Sequence, residues 1–211
     1  MEKEPKNKLV GHYDQVYSED KKAFGQGVPE AFVVKAAELL HTGASVIEFG
    51  AGQGRNALVL AERGFNVRAV EISPVGVDSM NRVAKEKGLS TFRAEVGDAR
   101  EELEGQYDLI VSTFMLHHLK REEAEEFIRK IKEHTKEGGL NAIATFTIEG
   151  DFSKLENAAG RFYPALGEMR ELYSDWEIIS YTEENSRARA TRPDGSPMFN
   201  IKAEILAKKL V

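Results

Sequence analysis

The stretch Glu48-Phe49-Gly50-Ala51-Gly52-Gln53-Gly54-Arg55-Asn56 sets three glycines at alternate positions, the first of them two residues behind an acid. Glycines spaced this closely let a chain turn sharply and let a ligand approach the backbone. A helix beginning behind them turns unpaired N–H groups and a partial positive charge on the same place. Dinucleotide-binding turns carry G-x-G-x-x-G/A and seat a pyrophosphate on that helix end. Here the spacing is G-x-G-x-G, position 55 is Arg, and Glu48 precedes the first glycine. A carboxylate beside a pyrophosphate repels it, whereas one beside the ammonium of a methionine moiety attracts it.

Two further acids extend the pattern. Glu71 follows the next strand-like segment about 20 residues beyond the first glycine, the separation at which a carboxylate reaches ribose hydroxyls. Asp98, in Val96-Gly97-Asp98-Ala99, follows a third such segment and is placed to accept from an adenine amino group. Acids at the carboxyl ends of consecutive strands outline a pocket for S-adenosylmethionine. The competing readings are an NAD-dependent oxidoreductase, a non-catalytic module that binds S-adenosylmethionine, and a purely structural turn.

Methyl transfer from a sulfonium is an in-line displacement with a good leaving group. It asks mainly for positioning and needs a base only if the acceptor holds a proton. The candidate catalytic residues are His117, Arg189 and Tyr13. His117 and His118 follow the fourth strand. Tyr13 and Tyr17, in Gly11-His12-Tyr13-Asp14-Gln15-Val16-Tyr17, suit a lid whose aromatic faces meet a sulfonium. Arg187, Arg189 and Arg192 form a basic cluster suited to an anionic acceptor, and Phe162, Tyr163 and Pro164 suit a cap over it. Each also has a plainer reading, as loop histidines, packing aromatics or solvated charges.

The elements that must position these residues follow from periodicity. Helical spacing predicts helices over residues 28–41, 56–63, 74–87 and 121–135, with Ser73 capping the third ahead of Pro74. The outer face of the fourth allows Glu125–Arg129 and Glu126–Lys130 pairs. Short β-branched runs predict strands over 45–49, 66–70, 91–96, 107–113 and 140–147, then 176–181 and 199–208 joined by a polar loop with a turn at Pro193-Asp194-Gly195. Alternating strands and helices imply an α/β fold, a doubly wound, Rossmann-like, mostly parallel sheet ending in an antiparallel strand pair. The expected organisation is an N-terminal lid over residues 1–27 and one domain over 28–211. Within it, 150–173 and 182–198 are expected as acceptor-site cap and loop.

The chain has 211 residues, 41% apolar and 30% charged, with a net charge of −6. Such an acidic chain is a poor partner for nucleic acid, and no apolar run approaches the length of a membrane span. With no cysteine there is no thiolate metal site or thiol nucleophile, and no metal is expected. That composition and the charged N-terminus fit a reducing cytoplasm. The expected partner is a small-molecule or oxyanion acceptor, and the expected state a monomer or homodimer.

With these residues in view, the sequence resembles the class I S-adenosylmethionine-dependent methyltransferases. Glu48 to Gly54 is similar to their first motif and Val70-Glu71-Ile72-Ser73 to the second. Val96 to Ala99 is similar to the third, Asp108-Leu109-Ile110-Val111-Ser112 to the fourth, and Lys136-Glu137-Gly138-Gly139 to the turn before the fifth strand. The resemblance implies that Glu48, Gly50 and Gly52 hold the methionine end, with Ala51, Arg55 and Asn56 also binding the cofactor. It further implies Glu71 at the ribose, Ile72 against adenine, Asp98 and Ala99 at the adenine edge, and Ser112 and Thr113 near the sulfonium. Within the class, the chain resembles the tellurite-resistance methyltransferases, through Gly54-Arg55-Asn56-Ala57-Leu58, Gly167-Glu168-Met169-Arg170-Glu171-Leu172-Tyr173 and Asp175-Trp176-Glu177. That implies a tellurite- or selenite-like acceptor. The family's His-Arg pair entering the last hairpin reads Arg189-Ala190 here, and another of its basic positions reads Pro197.

Overall fold

The segments Ser45-Val46-Ile47-Glu48-Phe49 and Leu109-Ile110-Val111 place apolar side chains on both sides of a strand, which only a sheet covered on both faces tolerates. In the computed structural model, which describes residues 6–20, 27–101 and 103–211, they lie at the centre of a seven-stranded sheet. In chain order the elements are α1 (Lys6–Glu19), α2 (Ala31–Glu38), β1 (Ser45–Phe49), α3 (Ala57–Glu62), β2 (Asn66–Glu71), α4 (Pro74–Glu86), β3 (Phe92–Val96) and β4 (Tyr107–Thr113). After a 3-10 turn at Leu116–His118 come α5 (Arg121–Glu133), β5 (Thr135–Phe146), α6 (Glu168–Leu172), β6 (Glu177–Thr191) and β7 (Pro197–Lys208). The strand order is β3-β2-β1-β4-β5-β7-β6. Strands β1 to β5 run parallel, β7 is antiparallel to β5, and β6 is antiparallel to β7. The doubly wound α/β expectation with an antiparallel end pair is met.

The alternation of strand side chains divides the core into two layers. Val46, Val67 and Leu109 face α2, α3 and α4 through Phe32, Ala36, Leu60 and Met80. Ile47, Ile110 and Ile143 face α5 and α6 through Phe127, Ile131 and Met169. Each large side chain so buried contributes about 1.5–3 kcal/mol. Ser73 caps α4 as expected, its hydroxyl accepting from Gly76 N at 3.1 Å. At the start of α5, Glu123 accepts from the backbone N–H of Lys120 at 2.9 Å.

Three expectations are corrected. β5 starts at Thr135 rather than Leu140, because an irregularity between Tyr107 and Leu109 lets pairing resume ahead of the two glycines. The segment 182–198 is paired β6 and β7 closed by a short turn, not a loop. Its charged residues disguise it in the sequence, since no side chain of its β6 strand from Thr182 to Thr191 is fully buried. On α5, Arg129 bridges Glu126 and Glu133, while Lys130 turns inward to the Ala99 carbonyl at 2.7 Å, so neither expected i,i+4 pair forms. Segment 150–173 holds two 3-10 turns and α6.

β7 pairs with β5 only over Lys202–Lys208, whereas β6 and β7 pair as far as Thr191 and Pro197. The hairpin therefore stands beyond the carboxyl end of β5. Among the described residues no helix is long and apolar enough to cross a membrane. Residues 1–5 and 21–26 of the expected lid lie outside the described residues.

Candidate active site

The strand order reverses between β1 and β4, and the crevice outside their carboxyl ends is where open α/β sheets bind ligands. β1 delivers Glu48 and Phe49 there, opposite Val111 and Ser112 of β4. Gly50, Gly52 and Gly54 then turn the chain with φ of 68°, 58° and 84°, left-handed values that side chains resist. A Cβ on Gly50 would lie 2.8 Å from that of Met115, and one on Gly52 would lie 3.1 Å from the Tyr17 hydroxyl. Below the turn, Glu48 is 1% exposed. Its Oε1 accepts from Asn56 Nδ2 at 2.7 Å, and its Oε2 has no partner among the described residues. Burial pushes this carboxyl up to about 7, against the opposing pull of Asn56 and Arg55. Asn56 also donates to Thr113 Oγ1 at 3.2 Å and accepts from Glu30 N at 2.9 Å, so one amide ties β1, β4 and the start of α2 together. The Ser112 hydroxyl is likewise buried without a partner among the described residues. A buried carboxylate oxygen and a free hydroxyl under a turn that excludes side chains fit an ammonium-bearing ligand.

The remaining donor-side candidates stand around this pocket at the ends of β2, β3 and β4. Glu71 accepts from Gly52 N at 2.9 Å and Ser73 N at 3.0 Å. Burial raises its pKa, and these backbone bonds oppose the rise. Ile72 is half-buried beside it. Asp98 is gripped by Arg100, Nε to Oδ1 at 2.9 Å and Nη2 to Oδ2 at 2.6 Å. Ala99 follows, its carbonyl engaged by Lys130. Ala51 is buried. Arg55 pairs with Glu30 at 2.7 Å and lies over the Phe114 ring.

Helix α1 closes over the glycine turn. Asp14 Oδ1 accepts from Ser73 Oγ at 2.5 Å and lies 3.4 Å from Val75 N, a carboxylate on the N-terminus of α4. Tyr17 is buried above Gly52 and Gly76. The Tyr13 hydroxyl is 2.7 Å from His118 Nε2. His117, 8% exposed, stacks near His118, Phe146 and Tyr163 at ring separations of 4.1, 5.1 and 6.1 Å. Phe162, Tyr163 and Pro164, within segment 150–173, are buried. The hairpin arginines are exposed. Arg189 pairs with Asp20 at 3.2 Å and Arg192 with Asp151 at 2.7 Å, while Arg187 lies on the exposed side of β6.

Sequence reasoning missed several parts of this wall. Asp14, Met115 and Gly76 matter through contacts made by neighbouring elements, and no spacing announces them. Phe146 ends β5 like any strand residue. Phe114 carries φ 59°, the only positive φ at a non-glycine among the described residues, and its amide donates to Ala144 O at 2.8 Å. Such a value in an aromatic residue is strained and collects at functional sites.

Residues 14–203 match the profile of a family described as "Tellurite resistance protein TehB". The probable S-adenosyl-L-methionine-dependent methyltransferase TehB of Haemophilus influenzae is 30% identical over 177 residues, 84% of this chain and 61% of that protein. "Hemagglutinin 1" of Eikenella corrodens is 33% identical over 164 residues, 77% of this chain and 54% of that one. The chain thus spans less than two thirds of the length of either curated relative. The crystal structure of TehB from Haemophilus influenzae superposes with a TM-score of 0.77 at 28% identity, covering 93% of this chain and 67% of that chain.

Proposed function

This chain belongs to the TehB family, and from that premise we propose that it is an S-adenosylmethionine-dependent methyltransferase acting on a small molecule or oxyanion by in-line displacement. S-adenosylmethionine supplies a methyl group activated on a sulfonium. The single observation that carries the reading is the buried, unpartnered Oε2 of Glu48 beneath the glycine turn. An unpaired buried carboxylate is expensive unless a cation completes it, and an amino-acid ammonium is such a cation. Gly50, Ala51 and Gly52 let the donor approach the backbone, with Arg55 and Asn56 holding Glu48 and the wall in place. Glu71 accepts from ribose hydroxyls, Ile72 packs on adenine, Asp98 and Ala99 meet its edge, and Ser112 and Thr113 line the path to the sulfur. Tyr13 and Tyr17 cover the bound donor, and the cap over 150–173 encloses the acceptor. The acceptor to test first is a tellurite- or selenite-like oxyanion. The reading has the protein work in the cytoplasm as a monomer or homodimer, without nucleic acid, membrane or metal.

The test is calorimetric titration with S-adenosylhomocysteine and, separately, NADH. Micromolar binding of the first, weakened at least tenfold by Glu71→Ala and absent for NADH, is expected. Saturation by NADH but not by S-adenosylhomocysteine would make the chain a dinucleotide enzyme. Donor binding with no methylation of any acceptor would make it a non-catalytic module.

A further inference from the structure

Beside the carboxyl end of β4, several groups converge that the donor does not use. The 3-10 turn Leu116–His118 begins one residue after Met115, the residue packed on Gly50. His117 and His118 are therefore held within a turn of the glycine loop. Both Nδ1 atoms are buried with no partner among the described residues. The other nitrogen of His118 faces the Tyr13 hydroxyl of the lid. Arg161 lies midway along the cap and is bridged to Lys120, two residues past His118, while Phe162 N donates to Leu119 O at 2.9 Å. The same guanidinium charge bears on His117, His118, Tyr13 and Tyr163. These groups approach one wall from α1, the 3-10 turn and the cap.

We propose that Arg161 and the His117–His118 pair are the residues that receive the methyl acceptor, and that they receive it as an anion already deprotonated. The inference rests on the methyl-transfer reading and deepens it. Burial and the Arg161 charge hold His118 at about 4 and His117 well below its ordinary value, so both imidazoles are neutral near pH 7. An imidazole that weakly basic is a poor proton acceptor at neutrality. With the Tyr13 O–H donating to Nε2, the His118 proton sits on Nδ1, and the buried group becomes a hydrogen-bond donor. Such a donor beside a guanidinium stabilises an anion and repels an ammonium. Of the hairpin arginines, Arg189 pairs with Asp20 and Arg192 with Asp151. In the transfer, the acceptor's lone pair forms the bond to the methyl carbon. The carbon–sulfur bond breaks with its pair staying on sulfur, so the sulfonium leaves as a neutral thioether and no proton moves. Acceptor anion and sulfonium cation lose their charges together, which a dry pocket favours.

The experiment is calorimetry of selenite into the full chain saturated with S-adenosylhomocysteine, for wild type, Arg161→Gln, Arg161→Lys, His118→Gln and Arg189→Gln. Selenite is expected to bind wild type and to weaken at least tenfold in Arg161→Gln. Partial recovery is expected in Arg161→Lys, a several-fold loss in His118→Gln, and less than a twofold change in Arg189→Gln. The S-adenosylhomocysteine Kd should stay within twofold throughout, which shows that each variant is folded. If Arg161→Gln does not fold, Arg161→Lys and His118→Gln decide alone, since each must weaken selenite with the donor Kd unchanged. Unaltered selenite binding in the Arg161 and His118 variants, or a larger loss in Arg189→Gln, overturns the assignment. So does a wild type that binds S-adenosylhomocysteine but no selenite. A wild type that does not bind S-adenosylhomocysteine overturns the methyl-transfer reading itself, and this assignment with it.

Discussion

Glu48 is buried at the end of β1, and the fold bears the consequence. Its carboxyl is raised from 4.5 to about 7. The native state therefore holds a proton between those values that the unfolded chain has released. Stability is lost as pH rises through that window, by up to about 3 kcal/mol. Glu48→Gln removes the effect, so the ligand-free variant should show a higher urea midpoint than wild type at pH 8. The same variant should bind S-adenosylhomocysteine at least tenfold more weakly. Wild-type affinity should rise from pH 6 to pH 8 as Glu48 ionises, and the variant's should not. A variant less stable than wild type at pH 8 would show that the carboxylate is not under strain. Gly76 is a second single-atom constraint. A Cβ there would lie 2.7 Å from the Gly52 carbonyl and 3.2 Å from the Tyr17 ring. Gly76→Ala should cost about 1–3 kcal/mol in chemical denaturation, as overpacking does, and should displace α1 from the glycine turn.

Among the elements, α1 meets α4 through Asp14 and through Tyr17, which packs against Gly76. Asp14 meets the Ser73 hydroxyl and the first turn of α4. Asp14→Ala should cost about 1 kcal/mol. It should speed amide exchange along α1 while leaving the centre of β1 protected, and equal exchange in both proteins would show that α1 is held elsewhere. How elements reach the site also explains what the sequence could reveal. Glu48 and Glu71 lie at the carboxyl ends of β1 and β2 and Asp98 just beyond β3, in a parallel part of the sheet where position along the chain dictates position in space. Asp108 belongs to an equally legible motif yet sits at the amino end of β4. There it accepts from Ser45 N at 2.7 Å and from Lys136 at 2.8 Å, and those contacts hold its carboxyl at about 2. It joins strands and lies at the opposite end of β4 from the crevice. Arg161 was illegible, because a loop residue gains its neighbours from the path of the whole cap. The strand character of 182–191 was hidden by residues such as Glu184 and Arg187, which carry no alternation of burial to read.

For the molecule as a whole, the two histidines shape the response to acid. His118 sits at about 4 in the fold against 6.5 for the free side chain, and His117 is also depressed. The unfolded chain takes up those protons first, so stability is lost as pH falls from about 6.5 through about 4, by up to about 3 kcal/mol for His118. Glu48 works in the opposite sense across the same range. Glu48→Gln should therefore steepen the acid loss and His118→Gln should flatten it, read as urea midpoint against pH. Parallel curves for the three proteins would refute both assignments. The order of strands has a separate consequence, for synthesis. β7 follows β6 in the chain but lies between β5 and β6 in the sheet. While a ribosome extends the chain, β6 emerges with no strand to pair with, and β5 keeps an open edge until β7 arrives. Such edges are templates for association with other chains. A nascent chain stalled just after Thr191 should be the species most dependent on chaperones, because two unpaired edges await a single strand.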